Sequence, residues 1–486
     1  MTEFARELLV ASSLYVVLLI VLGWLGRRAR REDSLSDHYL AGRNLGFFVL
    51  LLTLFATQYS GNSLSGFPGK TYRAGLAYVM SVTFMVAIVG GYTLFAPRLF
   101  RLARDRSYLT PTDFLDDRFR SKTLNALATL IFLFVLGNFL LAQLMAMGHA
   151  FSGLTDGAFS YRASILCGAA IILAYELLGG MRAVAWTDAL QGGILMIGLT
   201  IVAFLLVLDV GGPTAVIGQI AAVAPEKVTP PDLRSCWTWL GNLILLGMGG
   251  PLYPQAIQRI YAARRLGDLR RALATMSILP LLAITTVVFI GLCGILLFPG
   301  LDAVESDSVT FLVLGHLSQA QPGAHLLILI VMLAVVAAIM STADSCLLSL
   351  GSIVSRDLLG RLRKIPPEEI DRFTRFSPLV SVFVMLLLCL VALNSQTTLW
   401  KLLVLKFEIL IQLSPAFVLG SRPSLGVTGG HILAGLFSGL WIFALCWSFG
   451  LRDVGGFHSG SLAMLINYAV VLVSCRIGRG GALTAA

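Results

Sequence analysis

Charge is what this sequence has least of. Of 486 residues only 13% are Asp, Glu, Lys or Arg, 57% are hydrophobic, and the mean hydropathy is +0.84. So little polar surface cannot coat a soluble globule of this size, and the chain reads as a polytopic membrane protein with no separate water-soluble domain. Cysteine is sparse: Cys167, Cys236, Cys293, Cys346, Cys389, Cys446 and Cys475 lie mostly inside apolar segments, in neither paired nor metal-type spacing. The histidines do not cluster either. Nothing resembles HExxH, a phosphate-cradling glycine loop followed by lysine, or a nucleophile elbow, so an enzyme embedded in the membrane has no support.

What is present is a succession of apolar runs of spanning length. They fall near 8–26, 46–66, 76–97, 124–152, 162–180, 187–210, 237–258, 275–298, 324–352, 375–394, 398–420, 427–450 and 459–475, giving about thirteen expected spans. Bases outnumber acids, 36 to 26, and the excess is one-sided. Alternate loops, including Arg27 to Arg31, Arg98 to Lys122, Arg259 to Arg271 and Arg356 to Arg375, collect about 27 Lys and Arg, against about 7 on the other side. Cytoplasmic loops accumulate such residues, so the N-terminus is expected outside and the C-terminus in the cytoplasm. The bias also accounts for the net charge of +10 without a nucleic-acid partner. The first run follows "MTEFARE" and lacks a basic n-region and cleavage site, so it is expected to stay as a helix.

Two spans are interrupted. "FATQYSGNSLSGFPG" carries Gly61, Gly66, Pro68 and Gly69, and "LLGMGGPLYPQAIQR" carries Gly247, Gly249, Gly250, Pro251 and Pro254. Proline removes a helical N–H and clashes with the preceding turn, so both spans are expected to unwind where protein or a wet cavity can satisfy the backbone. Each opens a block of five spans, roughly 46–210 and 237–420, and an odd number inserts the second block inverted. The division expected is 1–45 (first helix and loop), 46–210, an external loop at 211–236, 237–420, and 421–486 with two more helices. Paired broken helices in inverted halves point to a transporter's binding site.

A third feature is a stripe of small oxygens in "AVVAAIMSTADSCLLSLGS". Ala338, Ser341, Thr342 and Ser345 recur at offsets of three and four and share one helix face, with Asp344 on the same side. Hydroxyls beside an acid suit a hard cation. They also suit hydroxyls that bond back to their own helix or across to a neighbour.

Taken together, "DHYLAGRNLG", "YSGNSLSGFPGKTYRAGLAYV", "YELLGGMRAVAWTDALQGGILMIG" and "MSTADSCLLSLGSIVSRDL" resemble, in order, segments of the sodium/solute symporter family. That family includes sodium-coupled proline, pantothenate, sugar and monocarboxylate carriers. The resemblance implies an all-α, LeuT-like five-plus-five inverted repeat with one extra helix before and two after. It implies a Na⁺ site at Ala56, Tyr59, Ala338, Ser341 and Thr342, Na⁺ being the coupling ion, with no organic cofactor. It implies a second cation site, found in some members, at Asp188, Ser341, Asp344 and Ser345. Asp344 stands there in place of a hydroxyl, which leaves a proton as the alternative coupling ion. Thr187, Asp188 and Gln191 also fit a helix-capping arrangement.

The solute is expected beside the two breaks, where half-helix N-termini favour a carboxylate. The candidates are Gln58, Ser60, Asn62, Ser63, Tyr253, Pro254 and Gln255, with Asn138 and Gln143 facing them. Lys406 and Glu408 lie deep in "KLLVLKFEILIQLSP", two apart and so unable to pair on one helix face, and Lys406 or Gln412 could take an anionic solute. The function expected is Na⁺-coupled symport of an amino acid or small carboxylate in the bacterial inner membrane, the partners being lipid and solute. A proton-coupled carrier and a solute-sensing module acting with a signalling partner are the alternatives, the chain ending some ten residues after its last span.

Overall fold

The computed structural model describes residues 3–28, 35–154, 159–321, 323, 325–360, 377–395 and 397–484, and nearly all of these are helical. The first helices are α1 Glu3–Arg28, α2 Leu35–Leu40, α3 Phe47–Gln58, α4 Phe67–Ala74, α5 Phe84–Arg106, α6 Pro111–Phe119 and α7 Lys122–Leu154. Then come α8 Tyr161–Val210, α9 Pro213–Val223, α10 Leu233–Gly249, α11 Pro254–Ala262, α12 Leu266–Met276 and α13 Leu279–Leu297. The last are α14 Val309–Ala320, α15 His325–Ser352, α16 Ser377–Asn394, α17 Leu399–Leu410, α18 Ser414–Val418, α19 Gly429–Ser448 and α20 Ser459–Thr484. A small hairpin, β1 Asp453–Val454 with β2 Phe457–His458, precedes α20.

Among the described residues, 7 helical stretches are long and apolar enough to cross a membrane: Asn62–Arg106, Lys122–Ser152, Val184–Val210, Leu266–Leu297, Leu326–Leu358, Gly429–Ser448 and Ser459–Ile477. Shorter apolar helices cover other expected runs, among them Val10–Leu22, Phe47–Gln58, Tyr161–Ala174 and Leu379–Asn394. Large apolar side chains lie exposed along single helix faces, such as Phe383, Leu386 and Leu390 of α16 and Ile197, Phe204 and Leu208 of α8. That surface is stable only against lipid. The basic residues Arg30, Arg31, Arg361, Arg363, Lys364, Arg372 and Arg375 lie outside the described residues.

One expected boundary is absent. The runs at 162–180 and 187–210 were separated in sequence, yet α8 continues through both for 50 residues. The joining segment has no proline, and a helix tolerates glycines such as Gly179 and Gly180 at a cost of about 1 kcal/mol each. Thr187 and Asp188 therefore lie inside a helix, where Thr187 donates to the carbonyl of Val184 at 3.0 Å. The capping arrangement is thereby overturned.

Both interrupted spans do unwind. Helix α3 stops where Tyr59 becomes extended (φ −94°, ψ 102°), and a wide turn over Asn62–Gly66 leads into α4. Helix α10 ends in a tight turn at Gly250–Leu252, Tyr253 is extended (ψ 132°), and α11 begins at Pro254, where a missing N–H costs nothing. Neighbours satisfy the freed backbone: the Gly61 N–H donates to Gln143 Oε1 at 2.8 Å, and Thr310 Oγ1 donates to the Leu64 carbonyl at 2.5 Å. The entry to α3 is tied to the exit of α11, the Leu45 N–H donating to Ala262 O at 3.0 Å and the Arg264 N–H to Leu45 O at 2.8 Å. Helix α15 packs against α7, α8 and α3, burying its whole oxygen stripe.

Glu408 of α17 faces away from Lys406. Its Oε1 accepts from Ser459 Oγ and from the Gly460 N–H, both at 3.0 Å, at the N-terminus of α20. A carboxylate is favoured there by the helix dipole and the free N–H groups. Gly460 is required, since a Cβ would lie 2.4 Å from that of Glu408. Glu408→Ala removes hydrogen bonds to a buried charge and is expected to destabilise the detergent-solubilised protein by about 2–3 kcal/mol. A lowered thermal midpoint with unchanged sodium dependence checks this.

Candidate functional site

Helix α3 and the middle of α15 meet in the core, Thr53 and Ser341 both donating to Asp188. The last carbonyls of a helix lack partners one turn on, and Ala56 and Tyr59 sit at such an end, both fully buried. Ala338, Ser341 and Thr342 are 0–1% exposed on α15. The Thr342 hydroxyl donates to the Ala338 carbonyl one turn earlier at 3.2 Å, a back-bond within α15. The Ser341 hydroxyl donates to Asp188 Oδ1. A hydroxyl has one proton and two lone pairs, so Ser341 can donate to Asp188 and still offer oxygen to a cation.

Asp188 is the centre of a second cluster, and there sequence reasoning had misplaced a partner. Arg259, counted among cytoplasmic-loop bases, is 0% exposed on α11. Its Nη2 donates to Asp188 Oδ2 at 2.6 Å and to Ser345 Oγ at 2.7 Å; Nε donates to Thr53 Oγ1 at 2.8 Å and Nη1 to the Gln255 carbonyl at 3.0 Å. Thr53 Oγ1 in turn donates to Asp188 Oδ2 at 2.5 Å. Four elements, α3, α8, α11 and α15, are thus joined through one buried ion pair with 0% exposure on both sides. Removing one partner of such a pair costs about 3–5 kcal/mol, because it leaves a charge unpaired in low dielectric. Asp344 is also fully buried on α15.

The solute candidates divide into two groups. Lys406, 0% exposed, points its ammonium at the face of Phe139, 3.4 Å from the ring centroid, with the rings of Tyr253 and Phe407 at 5.3 and 5.7 Å. Oriented to satisfy both neighbours, the Asn62 amide accepts from Lys406 Nζ at 3.1 Å and donates to the Leu399 carbonyl at 2.9 Å. The rings are mutually packed, Phe139 on Tyr253 at 4.8 Å and Tyr253 on Phe407 at 5.1 Å. No carboxylate pairs with Lys406 among the described residues; the ammonium rests on π-faces and one amide. Cation–π contacts at a desolvated site contribute about 2 kcal/mol, less than the cost of burying a charge.

Around this centre Gln143 holds the Gly61 N–H, Gln58 Nε2 donates to Tyr92 Oη at 3.0 Å, and Ser63 Oγ donates to the Gln58 carbonyl at 3.0 Å. Gln255 approaches Cys346 Sγ at 3.7 Å, while Asn138 is buried in α7, Pro254 at the start of α11 and Ser60 in the break after α3. Gln412 belongs elsewhere: its Nε2 donates to Glu408 O and Gly460 O, and Asn467 donates to its carbonyl at 2.8 Å, which brackets α20. Sequence reasoning missed Thr53, Tyr92, Phe139, Arg259 and Phe407. The available signal was Gln255 and Arg259, four apart on the helix that leaves a break, hence on one face.

The approach of the α3 break to α7 leaves no room for a side chain at Gly61, whose Cβ would fall 2.4 Å from Ala146 Cβ. Gly61→Ala is expected to push the break off Gln143 and cost about 1–3 kcal/mol. A thermal melt of the variant, compared with Gly193→Ala, where a Cβ meets nothing, checks it.

The chain is 28% identical over 409 residues to the osmoregulated proline transporter OpuE of Bacillus subtilis, covering 82% of this chain and 80% of that protein. It is 27% identical to a sodium/proline symporter of Staphylococcus aureus over 93% of this chain and 84% of the relative. With a sodium/pantothenate symporter of Haemophilus influenzae identity is 26%, covering 75% and 74%. The fold matches a Na⁺-coupled sialic acid symporter in a substrate-bound outward-open state, TM-score 0.76 at 17% identity over 98% of both chains. It also matches Mhp1, a nucleobase-cation-symport-1 family transporter, at TM-score 0.54 and 16% identity, covering 90% and 92%. Residues 38–420 match the model of the sodium:solute symporter family, and the chain belongs to that family of membrane transporters.

Proposed function

We propose that this protein is a Na⁺-coupled symporter of a small carboxylate-bearing solute, an amino acid or a simple organic acid, working by alternating access. Na⁺ binds the carbonyls of Ala56, Tyr59 and Ala338 with the hydroxyls of Ser341 and Thr342. Neutral oxygen ligands let the ion leave again on each cycle, which a carrier requires. The two halves, 46–210 and 237–420, form an inverted repeat around the site, the N-terminus outside and the C-terminus in the cytoplasm.

The observation that carries the solute reading is the Lys406 ammonium, buried at the two breaks with no carboxylate partner among the described residues. A solute carboxylate supplies the missing charge, and the Phe139, Tyr253 and Phe407 rings supply an apolar wall for its carbon skeleton. Asn62, Gln143 and Gln255 offer polar groups to the rest of the molecule. A neutral sugar would leave the ammonium uncompensated.

Three outcomes test this. In a thermal-shift screen of amino acids, carboxylates and sugars with and without Na⁺, stabilisation is expected from a carboxylate only in the presence of Na⁺, rising with ligand concentration by mass action. Lys406→Met is expected to abolish that carboxylate shift while Na⁺ alone still stabilises; a sugar shift surviving in Lys406→Met would exclude the assignment. Thr342→Ala is expected to raise the half-saturating Na⁺ concentration for uptake at least tenfold, equivalent to about 1.4 kcal/mol. Unchanged sodium dependence in proteoliposomes would remove Thr342 from the site.

A further inference from the structure

Where α1 docks on the rest of the protein, the packing leaves a cavity of about 340 Å³ bounded by α1, α7, α8 and α15. Its inner wall is Met147 of α7 with Val336 and Met340 of α15, all 0–3% exposed, joined by Tyr15 of α1. Its mouth is marked by Ser13 and Cys167, both exposed. Beside them in sequence, Leu14 and Leu166 are 66% and 52% exposed on the lipid-facing surface. We propose that this cavity binds one acyl chain of a membrane phospholipid, which enters sideways from the bilayer between α1 and α8 and lies against the back of α15. The binding stands apart from the sodium-coupled reading above; its effect on transport rests on that reading.

Three observations carry it. First, the lining is aliphatic, thioether and aromatic, broken only by hydroxyls, and no charged side chain lines the cavity among the described residues. An ion or a charged solute finds no counter-charge there, whereas apolar walls with nothing against them forfeit dispersion contacts that an aliphatic chain restores. Met147 and Met340 have the flexibility to follow such a chain. Second, the mouth is continuous with the surface that meets lipid. Ser13 and Cys167 lie about 15 Å and 9 Å along their helices at 1.5 Å per residue, so the opening gives onto hydrocarbon. Third, the inner wall backs the oxygen stripe. Val336 and Met340 are one turn apart on α15, and Ala338 and Thr342 each follow by two residues, about 200° round the helix. A seated chain therefore packs directly behind the proposed Na⁺ ligands. Tyr15 adds a polar link from the cavity to the same region: its hydroxyl accepts from Gln191 Nε2, and Gln191 follows Asp188 by three residues on one face of α8. A chain that fits only this arrangement of α1, α8 and α15 shifts the population toward it.

The test maps contact with the chain directly. The full-length protein, in nanodiscs made with a phosphatidylcholine that carries a diazirine near the methyl end of one chain, is irradiated, digested and mapped by mass spectrometry. Adducts are expected on Met147, Val336 or Met340, which surrounding lipid cannot reach. Adducts confined to exposed residues such as Leu14, Leu166 and Leu208 overturn the proposal, whatever any variant does. The Ser12 hydroxyl lines the cavity, buried and without a hydrogen-bond partner among the described residues, so Ser12→Phe fills the space at no cost in hydrogen bonds. It is expected to abolish the inner-wall adducts, while Leu14→Phe, on the lipid face of the same helix, keeps them. Undiminished inner-wall adducts in a folded Ser12→Phe also overturn the proposal. The link to α15 is read from thermal midpoints in detergent. Added phosphatidylcholine is expected to lower the half-saturating Na⁺ concentration about fivefold for wild type and Leu14→Phe and to leave Ser12→Phe unchanged. An equal response in Ser12→Phe and wild type overturns that link. Inner-wall adducts without a Na⁺ response in any sample would sink the sodium-coupled reading and leave the chain site standing, so the two failures are distinct.

Discussion

A carboxylate in the middle of a lipid-embedded protein must be neutralised, and much of this structure follows from how Asp188 achieves it. The Asp188–Arg259 pair, closed by Thr53, Ser341 and Ser345, draws together the helix before the first break, the helix after the second, and the two long helices α8 and α15. Neither charge is tolerated at that depth alone, so the pair fixes the relative positions of the elements that carry it. The breaks lie where those elements converge. Their freed backbone groups find Gln143 and Thr310 instead of lipid, which is the condition under which non-helical backbone survives inside a membrane.

A second buried charge is treated differently. Lys406 has no carboxylate among the described residues and is stabilised by the faces of three aromatic rings and by Asn62. The contrast is informative: one cation is saturated by protein ligands and the other is left with electrostatic capacity to spare. The second arrangement is the one the proposed function assigns to the solute, because a charge already paired offers an incoming anion nothing.

How much of this was legible in the sequence depended on the range of the interaction. Helix interruption is local chemistry, so Gly61, Pro68, Pro251 and Pro254 announced both breaks without any knowledge of neighbours. The oxygen stripe on α15 was visible because a helix repeats its face every three to four residues. Arg259 was not, because a base near the end of an apolar run reads as a cytoplasmic anchor until its partner, 71 positions earlier in the chain, is known. Gln412 looked like a group that could take an anionic solute, and its partners come instead from Gly460 and Asn467, some fifty residues later. The boundary expected within α8 failed for the opposite reason: charge and paired glycines mimic a loop signal in a segment that continues as helix.

The central claim is that a sodium ion held by uncharged oxygens drives the entry of a solute whose carboxylate Lys406 receives. The most direct measurement is uptake of a labelled carboxylate into proteoliposomes under an imposed inward Na⁺ gradient, with pH and membrane potential clamped. The account predicts concentrative uptake that vanishes when the gradient is collapsed or Na⁺ is replaced by K⁺. Accumulation that follows an inward proton gradient and ignores Na⁺ would contradict it.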